Sequence, residues 1–378
     1  MNSTQKFCEN PWTYCEIFAG GGVFVCCPAW NHNVPIGNIL HHTPKQIWNS
    51  YEAQRFRRGI LDGSFSACDH ERCPVLVAQS LPTQAQARES WLGDIVSDAI
   101  DNRRVVARYG PAVVKIGYDA SCNLTCPSCR NELMIARKDE QEKLNQLRDT
   151  FLLPFLEQAR VLVMSGDGDP FASHHYRSVL TRTHESLPDL KIGLCTNGVL
   201  LDERAWEECH LEHRVVRVQV SVDAAKAETY AVVRRGGDFA RLQHNLHFLA
   251  AKRRSSKDFA GLDLLFVVQS CNFREMADFV RMGKDIGVDS VQFMLIDHWG
   301  RAMEAGAYAA AKIWDRHHPD HAAFVDVLQD EILKDPIVRL GNVTAVLRAE
   351  QPPELSIDFT TGEIRRGDGV SANQYARA

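Results

Sequence analysis

From residue 113 onward the chain settles into one alternation, and that alternation limits the possible fold more than any other feature. Short β-branched, apolar runs stand at 113–119 (VVKIGYD), 159–166 (ARVLVMSG), 191–198 (KIGLCTNG), 215–223 (VVRVQVSVD), 262–269 (LDLLFVVQ) and 288–296 (VDSVQFMLI). Between them lie charged segments with helical apolar spacing, among them DEQEKLNQLRDTFLLPFLEQ, FARLQHNLHFLAAKRR and FREMADFVRMGKDIG. Continuously apolar strands, each followed by a helix, predict a parallel sheet covered by helices. Six such units are too few for a closed eight-stranded barrel, so the expected fold is α/β, a partial (β/α)6 barrel. Sheets of this kind bind ligands at the carboxyl ends of their strands, and that is where chemistry is expected.

Just past the first strand, YDASCNLTCPSCRNE (118–132) brings Cys122, Cys126 and Cys129 into one short turn. Three thiols are too many for one disulfide. A closed zinc site pairs two CxxC elements or adds histidines, and this loop offers no fourth cysteine or histidine. A four-iron cluster held by three cysteines instead keeps one iron open to an outside ligand.

The rest of the chain favours metal over disulfides. The N-terminus, MNSTQKFCENPW, lacks a charged start followed by an apolar run, so no signal peptide is expected, and no apolar stretch reaches membrane-spanning length. A cytoplasmic location keeps thiols reduced, so the clustering of the twelve cysteines points to metal or catalysis. A formal charge of −5 gives no basic field for nucleic acid. Cys195, Cys209 and Cys271 stand alone and read as small buried or surface thiols.

The Cys-x3-Cys-x2-Cys element after a first strand resembles the signature of the radical S-adenosylmethionine (radical SAM) superfamily. In that family the open iron chelates the amino and carboxylate groups of SAM, and reductive cleavage gives methionine and a 5′-deoxyadenosyl radical. SGDGDP (165–170) is similar to the family's glycine-rich motif, whose backbone receives the SAM amino group. The resemblance implies SAM contacts from Gly166, Asp167, Gly168 and Asp169, from Ser221 and Asp223 beside the ribose, and from Arg234 near the carboxylate. It also implies that residues 291–295 line the adenine. Asp169 stands where the family usually has Glu, and Ser128 where an aromatic residue commonly packs. The competing reading of Asp223 is a helix cap.

Residues 8–73 hold six further cysteines in a Gly-, Pro- and Asn-punctuated region with short apolar runs. They resemble a SPASM or twitch-like domain, which binds an auxiliary iron–sulfur cluster, although such a domain usually follows the barrel. The resemblance implies Cys8, Cys26, Cys68 and Cys73 as the ligands of a second [4Fe-4S] cluster, with Cys27 or Cys15 as alternatives, against a zinc-binding knuckle. The expected organisation is an auxiliary-cluster domain at 1–82, a linker helix at 83–110, the barrel at 111–300, and a helical extension and tail at 301–378 that includes a hairpin at SIDFTTGEIRRG. One helix is expected over TPKQIWNSYEAQRFRRGILDG, capped by Thr43 and ended by Gly63.

The expected activity is hydrogen-atom abstraction from a substrate by the SAM-derived radical, with an auxiliary cluster assisting oxidation and a flavodoxin- or ferredoxin-type electron donor. The absence of a peptide-recognition segment before Cys8 tilts the expected substrate toward a small molecule, sugar-like or a natural-product intermediate. The alternatives are peptide maturation by crosslinking or epimerisation and, from another class, a non-catalytic iron–sulfur or zinc module. Neither Cys195 nor Cys271 is assigned a catalytic role.

Overall fold

The computed structural model describes residues 4–164, 167–297 and 303–348, together with the backbone of two short strands near the C-terminus. Three strands come first: β1 (Tyr14–Phe18), β2 (Gly22–Phe24) and β3 (Gly37–Asn38). Six more follow as the apolar runs foretell: β4 (Val113–Gly117), β5 (Val161–Met164), β6 (Lys191–Thr196), β7 (Val215–Ser221), β8 (Gly261–Val268) and β9 (Ser290–Leu295). β10 (Val338–Arg339) closes the series, and β11 (Leu355–Asp358) and β12 (Glu363–Arg366) form the expected separate antiparallel hairpin.

Strands β4 to β9 pair parallel in chain order, with helices in every connection. A doubly wound sheet would reverse direction partway; consecutive order instead describes a strip of barrel wall. Alternate residues along each strand face opposite ways. Val114, Ile116, Val218, Val220, Leu264 and Phe266 are fully buried in the main core. The Phe266 ring lies 4.8 Å from that of Phe279 on the covering helix Met276–Ile286, which identifies this face as the helix side.

The opposite face departs from the sequence reading. It mixes apolar Val163, Leu265, Val267 and Met294 with Lys115, Arg217, Gln219, Asp263, Ser290 and Gln292, and these polar side chains pair with one another or, for Lys115, with Glu16 of β1. Gln219 Nε2 donates to Gln292 Oε1 at 2.9 Å, Arg217 Nη2 donates to Asp263 Oδ1 at 2.8 Å, and Ser290 Oγ donates to the same oxygen at 2.6 Å. This inner face is thus a hydrogen-bonding surface, on which Arg217 is exposed while Asp263 and Ser290 are buried.

The N-terminal region is not a body set beside the barrel. β1 runs parallel to β4, with Glu16 opposite Lys115, so the cysteine-rich segment extends the same ten-stranded sheet. Glu16 and Lys115 form an ion pair at 2.6 Å, and the Tyr14 hydroxyl donates to the second Glu16 oxygen at 3.1 Å.

Two expected helices are broken. Thr43 caps Pro44–Trp48 and Gly63 ends Tyr51–Asp62 in the left-handed conformation, but the chain turns at Asn49 and Ser50. There Ser50 caps the second helix through Ala53 N, while the Asn49 side chain bonds both backbone groups of Ala107, an alternative that short polar side chains offer the backbone. The expected linker helix is likewise two, Gln84–Arg88 and Gly93–Asp101. At Gly93 a Cβ would lie 2.1 Å from the Arg88 carbonyl oxygen, so the chain bends where only glycine fits.

Candidate active site

The loop leaving β4 is fastened before its cysteines are reached. The backbone N–H groups of Tyr118 and Asp119 both donate to the Tyr176 hydroxyl at 2.8 Å. The buried Asp119 carboxylate then accepts from Ser121 N and Oγ. Cys122 N donates to Met134 O, and Cys129 N and Arg130 N both donate to Cys126 O, which folds the cysteines into one turn. Cys122 and Cys126 are buried, and Cys129 is half-buried.

Each of the three sulfurs faces one side-chain N–H. Asn197 Nδ2 lies 3.9 Å from Cys122 Sγ, Arg234 Nη1 3.9 Å from Cys126 Sγ, and Arg130 Nη2 3.6 Å from Cys129 Sγ. Burial pushes the Cys122 thiol up to about 11 and raises that of Cys126, so metal binding here displaces protons. Donors converging on thiols suit a ligand that turns them into thiolates. Among the described residues no three His, Cys, Asp or Glu side chains converge as a single metal ion requires. A cluster makes no such demand, because each thiolate binds its own iron.

The glycine-rich stretch after β5 packs onto this loop. Gly166 lies outside the described residues. Asp167 is buried, and its carbonyl accepts from Arg130 Nη2. A Cβ on Gly168 would sit 2.4 Å from Ser121 O and 2.5 Å from Asp119 O, so only glycine allows the two loops to touch. The Asp169 carboxylate is fully engaged: it accepts from Phe171 N, from Thr196 Oγ1 at 2.6 Å and from Asn197 N at 2.8 Å. Burial raises its pKa against those bonds. What this stretch can present to a ligand is therefore backbone, while Asp169 ties the end of β5 to the end of β6.

Ser221 ends β7 half-buried on the lumen face. Asp223 is buried with φ of 63°, accepts from Val267 N at 2.8 Å and pairs with Arg234 at 2.7 Å. It does not cap a helix, since the next one starts after Lys226. Of residues 291–295, alternation leaves Gln292 and Met294 toward the lumen, while Val291, Phe293 and Leu295 are buried in the core. Cys195 is half-buried on the lumen face, Cys209 is buried and Cys271 exposed.

The N-terminal cysteines divide. Cys26 lies in the electrostatic reach of Cys8, Cys68 and Cys73, whereas Cys27 feels Glu16 and Lys115 instead. Cys15 is fully buried on β1. Burial pushes Cys8 up to about 11 and Cys68 to about 12. Cys8 precedes β1 and Cys26 follows β2, which runs antiparallel to it, so this group sits at the amino end of the β1–β4 pair. The other three thiols lie past its carboxyl end. A five-residue strand separates them, roughly 17 Å of lumen wall.

Arg130 and Asn197 join the site beyond the residues that the motifs imply. The signal for Arg130 was a cation directly after the third cysteine; Asn197 stood in TNG at a strand end. Lys115 was a lone charge inside an apolar run.

Residues 120–293 match the radical SAM superfamily, and residues 8–74 match the iron–sulfur cluster-binding domain SPASM. Residues 120–293 are thus a radical SAM domain and residues 8–74 a SPASM domain. A radical SAM domain implies a [4Fe-4S] cluster and SAM, and a SPASM domain implies an auxiliary iron–sulfur cluster; here the SPASM segment precedes the barrel. The chain is 30% identical over 174 residues to GTP 3′,8-cyclase 2 of Mycobacterium tuberculosis, covering 42% of this chain and 45% of that one. It is 25% identical over 228 residues to the mycofactocin maturase MftC of Mycobacterium ulcerans, covering 59% and 55%. The chain thus spans about half the length of these curated relatives. Among solved structures, SuiB of Streptococcus suis aligns at 13% identity over 84% of this chain and 72% of that one, with a TM-score of 0.42. Among the described residues no helix is long and apolar enough to cross a membrane.

Proposed function

We propose that this enzyme abstracts a hydrogen atom from a small, hydroxyl-bearing substrate held in the barrel lumen and directs it toward oxidation. The observation that carries this reading is the inner wall. Glu16 with Lys115 and Gln219 with Gln292 are paired donors and acceptors of no net charge, the recognition chemistry of a neutral polyhydroxylated molecule rather than of a phosphate or an apolar side chain. When bound, the cluster and SAM supply the 5′-deoxyadenosyl radical.

Cys122, Cys126 and Cys129 are assigned to the SAM-binding cluster, and Cys8, Cys26, Cys68 and Cys73 to the auxiliary one. The backbone of residues 166–168 receives the SAM amino group. Asp169 holds that loop in place, and Ser221 faces the ribose. Asp223 fixes the guanidinium of Arg234 beside the Cys126 sulfur, where it would pair with the SAM carboxylate. Glu16, oriented by Tyr14 and Lys115, is the carboxylate placed to hold a substrate hydroxyl. A flavodoxin- or ferredoxin-type donor supplies the electron.

Likeness to a maturase favours a peptide as the competing substrate. Anaerobically reconstituted enzyme with dithionite yields 5′-deoxyadenosine, and the Cys122/Cys126/Cys129 triple Ala variant yields none. A dialysable extract of small molecules then stimulates that yield, while the retained peptide fraction does not. Stimulation by the peptide fraction alone would replace the substrate class.

A further inference from the structure

Three thiolates and the cluster they carry bring net negative charge into a site where Cys122 is 8% and Cys126 6% exposed. Buried charge needs a counter-charge close by. Two guanidinium groups touch the sulfurs, but they are not equivalent. The positive charge of Arg234 is already matched by Asp223 at 2.7 Å.

Arg130 is different. It is 5% exposed, and its fork reaches three acceptors: Ala120 O at 2.6 Å, Asp167 O, and Cys129 Sγ at 3.6 Å. Two of these are carbonyl dipoles without net charge.

We propose that Arg130 is a positioning residue with two linked tasks: it is the counter-cation of the cluster on Cys122, Cys126 and Cys129, favouring the more reduced state, and it clamps the Asp167 carbonyl so that the glycine-rich loop stays against that cluster. The inference rests on the assignment of the cluster to these three cysteines. Positive charge and N–H donors at cluster sulfurs raise the reduction potential. A planar fork spreads its N–H groups over the sulfur and both carbonyls in a fixed geometry that a compact ammonium does not reproduce.

The test uses full-length enzyme, reconstituted anaerobically, with Arg130→Met, Arg130→Gln and Arg130→Lys. Iron and sulfide content and circular dichroism establish loading and fold. The midpoint potential is followed by EPR on the signal that the Cys122/Cys126/Cys129 triple Ala variant lacks. Met and Gln are expected to lower the reduced-to-oxidised ratio at a fixed potential about tenfold, equivalent to 59 mV for one electron. Lys keeps the charge and is expected to stay close to wild type in potential. SAM affinity, measured by equilibrium dialysis, falls in all three, because the clamp on Asp167 is lost or weakened. Arg235→Met removes an exposed guanidinium bonded to Thr125 in the same loop, and solvent screening predicts no shift.

A fully loaded Arg130→Met enzyme with the wild-type midpoint overturns the counter-cation role. Wild-type SAM affinity in both Met and Lys variants overturns the clamp. If Met fails to load the cluster, the Gln and Lys pair carries the same comparison, and equal midpoints for those two would mean a merely structural residue. A wild-type signal that does not respond to SAM would sink the cluster assignment itself, a failure separate from that of Arg130.

Discussion

Asp223 and Arg234 meet at 2.7 Å, with the carboxylate 3% and the guanidinium 14% exposed, and Asp223 adopts a φ of 63° that its residue type tolerates and most do not. The pair joins the end of β7 to the turn after helix Ala227–Val233, and its other face is the Cys126 sulfur. Breaking a buried pair from one side leaves an uncompensated charge, at a cost of about 3–5 kcal/mol. Asp223→Ala therefore loses stability in that range, with backbone strain added. Asp223→Asn, which keeps the left-handed geometry, loses less. Urea unfolding of the two variants ranks them, and equal losses would refute the strain component.

Gly168→Ala tests the contact between the two loops. The added Cβ meets backbone oxygens at 2.4 and 2.5 Å, which cannot rotate away as a side chain could. Displacing the loop by that much is expected to lower 5′-deoxyadenosine formation about a hundredfold. Iron content should hold, since no thiol moves. Activity within a few-fold of wild type would show that the loop has slack.

The division of the N-terminal cysteines predicts iron counts. Wild type holds about eight irons, four for each cluster. Cys26→Ala should retain about four and Cys27→Ala about eight. The reverse outcome would exchange the two residues, and stoichiometric zinc would replace the auxiliary cluster altogether.

Lys115→Met strips Glu16 of its ion-pair partner in the lumen. Stimulation by the small-molecule extract should fall at least about tenfold, the scale of a lost charged hydrogen bond. In the Glu16→Gln/Lys115→Met double variant the two losses should not add, because the residues act as one unit. Additive losses would mean that they serve separate functions.

His175 gives the pH signature. It is fully buried beside Tyr118 and Asn145, and burial pushes its pKa down to about 4 from 6.5. The unfolded chain then binds a proton that the folded chain refuses, so the stabilisation is complete above pH 6.5 and is lost as pH falls toward 4. The full effect is about 3 kcal/mol. His175→Gln should flatten this slope in denaturant unfolding between those limits, and an unchanged slope would assign it elsewhere.

Much of this was readable in the chain, and the unread parts share a cause. Strand positions follow from local composition, and the three-cysteine turn and the glycine stretch are local motifs. The character of the inner wall is not local. Lys115 and Gln219 looked like interruptions in apolar runs because only pairing with Glu16 and Gln292, on strands distant in sequence, gives them a role. The breaks at Asn49 and Gly93 likewise depend on contacts, Ala107 for one and a bend against Arg88 for the other. Arg130 is equally non-local, because its role depends on Ala120 and Asp167, whose carbonyls it reaches only once the two loops have met.

The parallel seam between β1 and β4 also sets an order of events during synthesis. Tyr14 finds its partner Val113 only after roughly a hundred further residues have been made, a long closure for a folding chain. Until then Cys8, Cys26, Cys68 and Cys73 belong to a segment whose β1 has β2 as a possible partner but lacks β4. Their iron is thus expected to be loaded after the barrel wall has begun to form. A ribosome stalled before residue 113 would present those thiols to the cell as an unfinished sheet edge, open to oxidation and to chaperones alike.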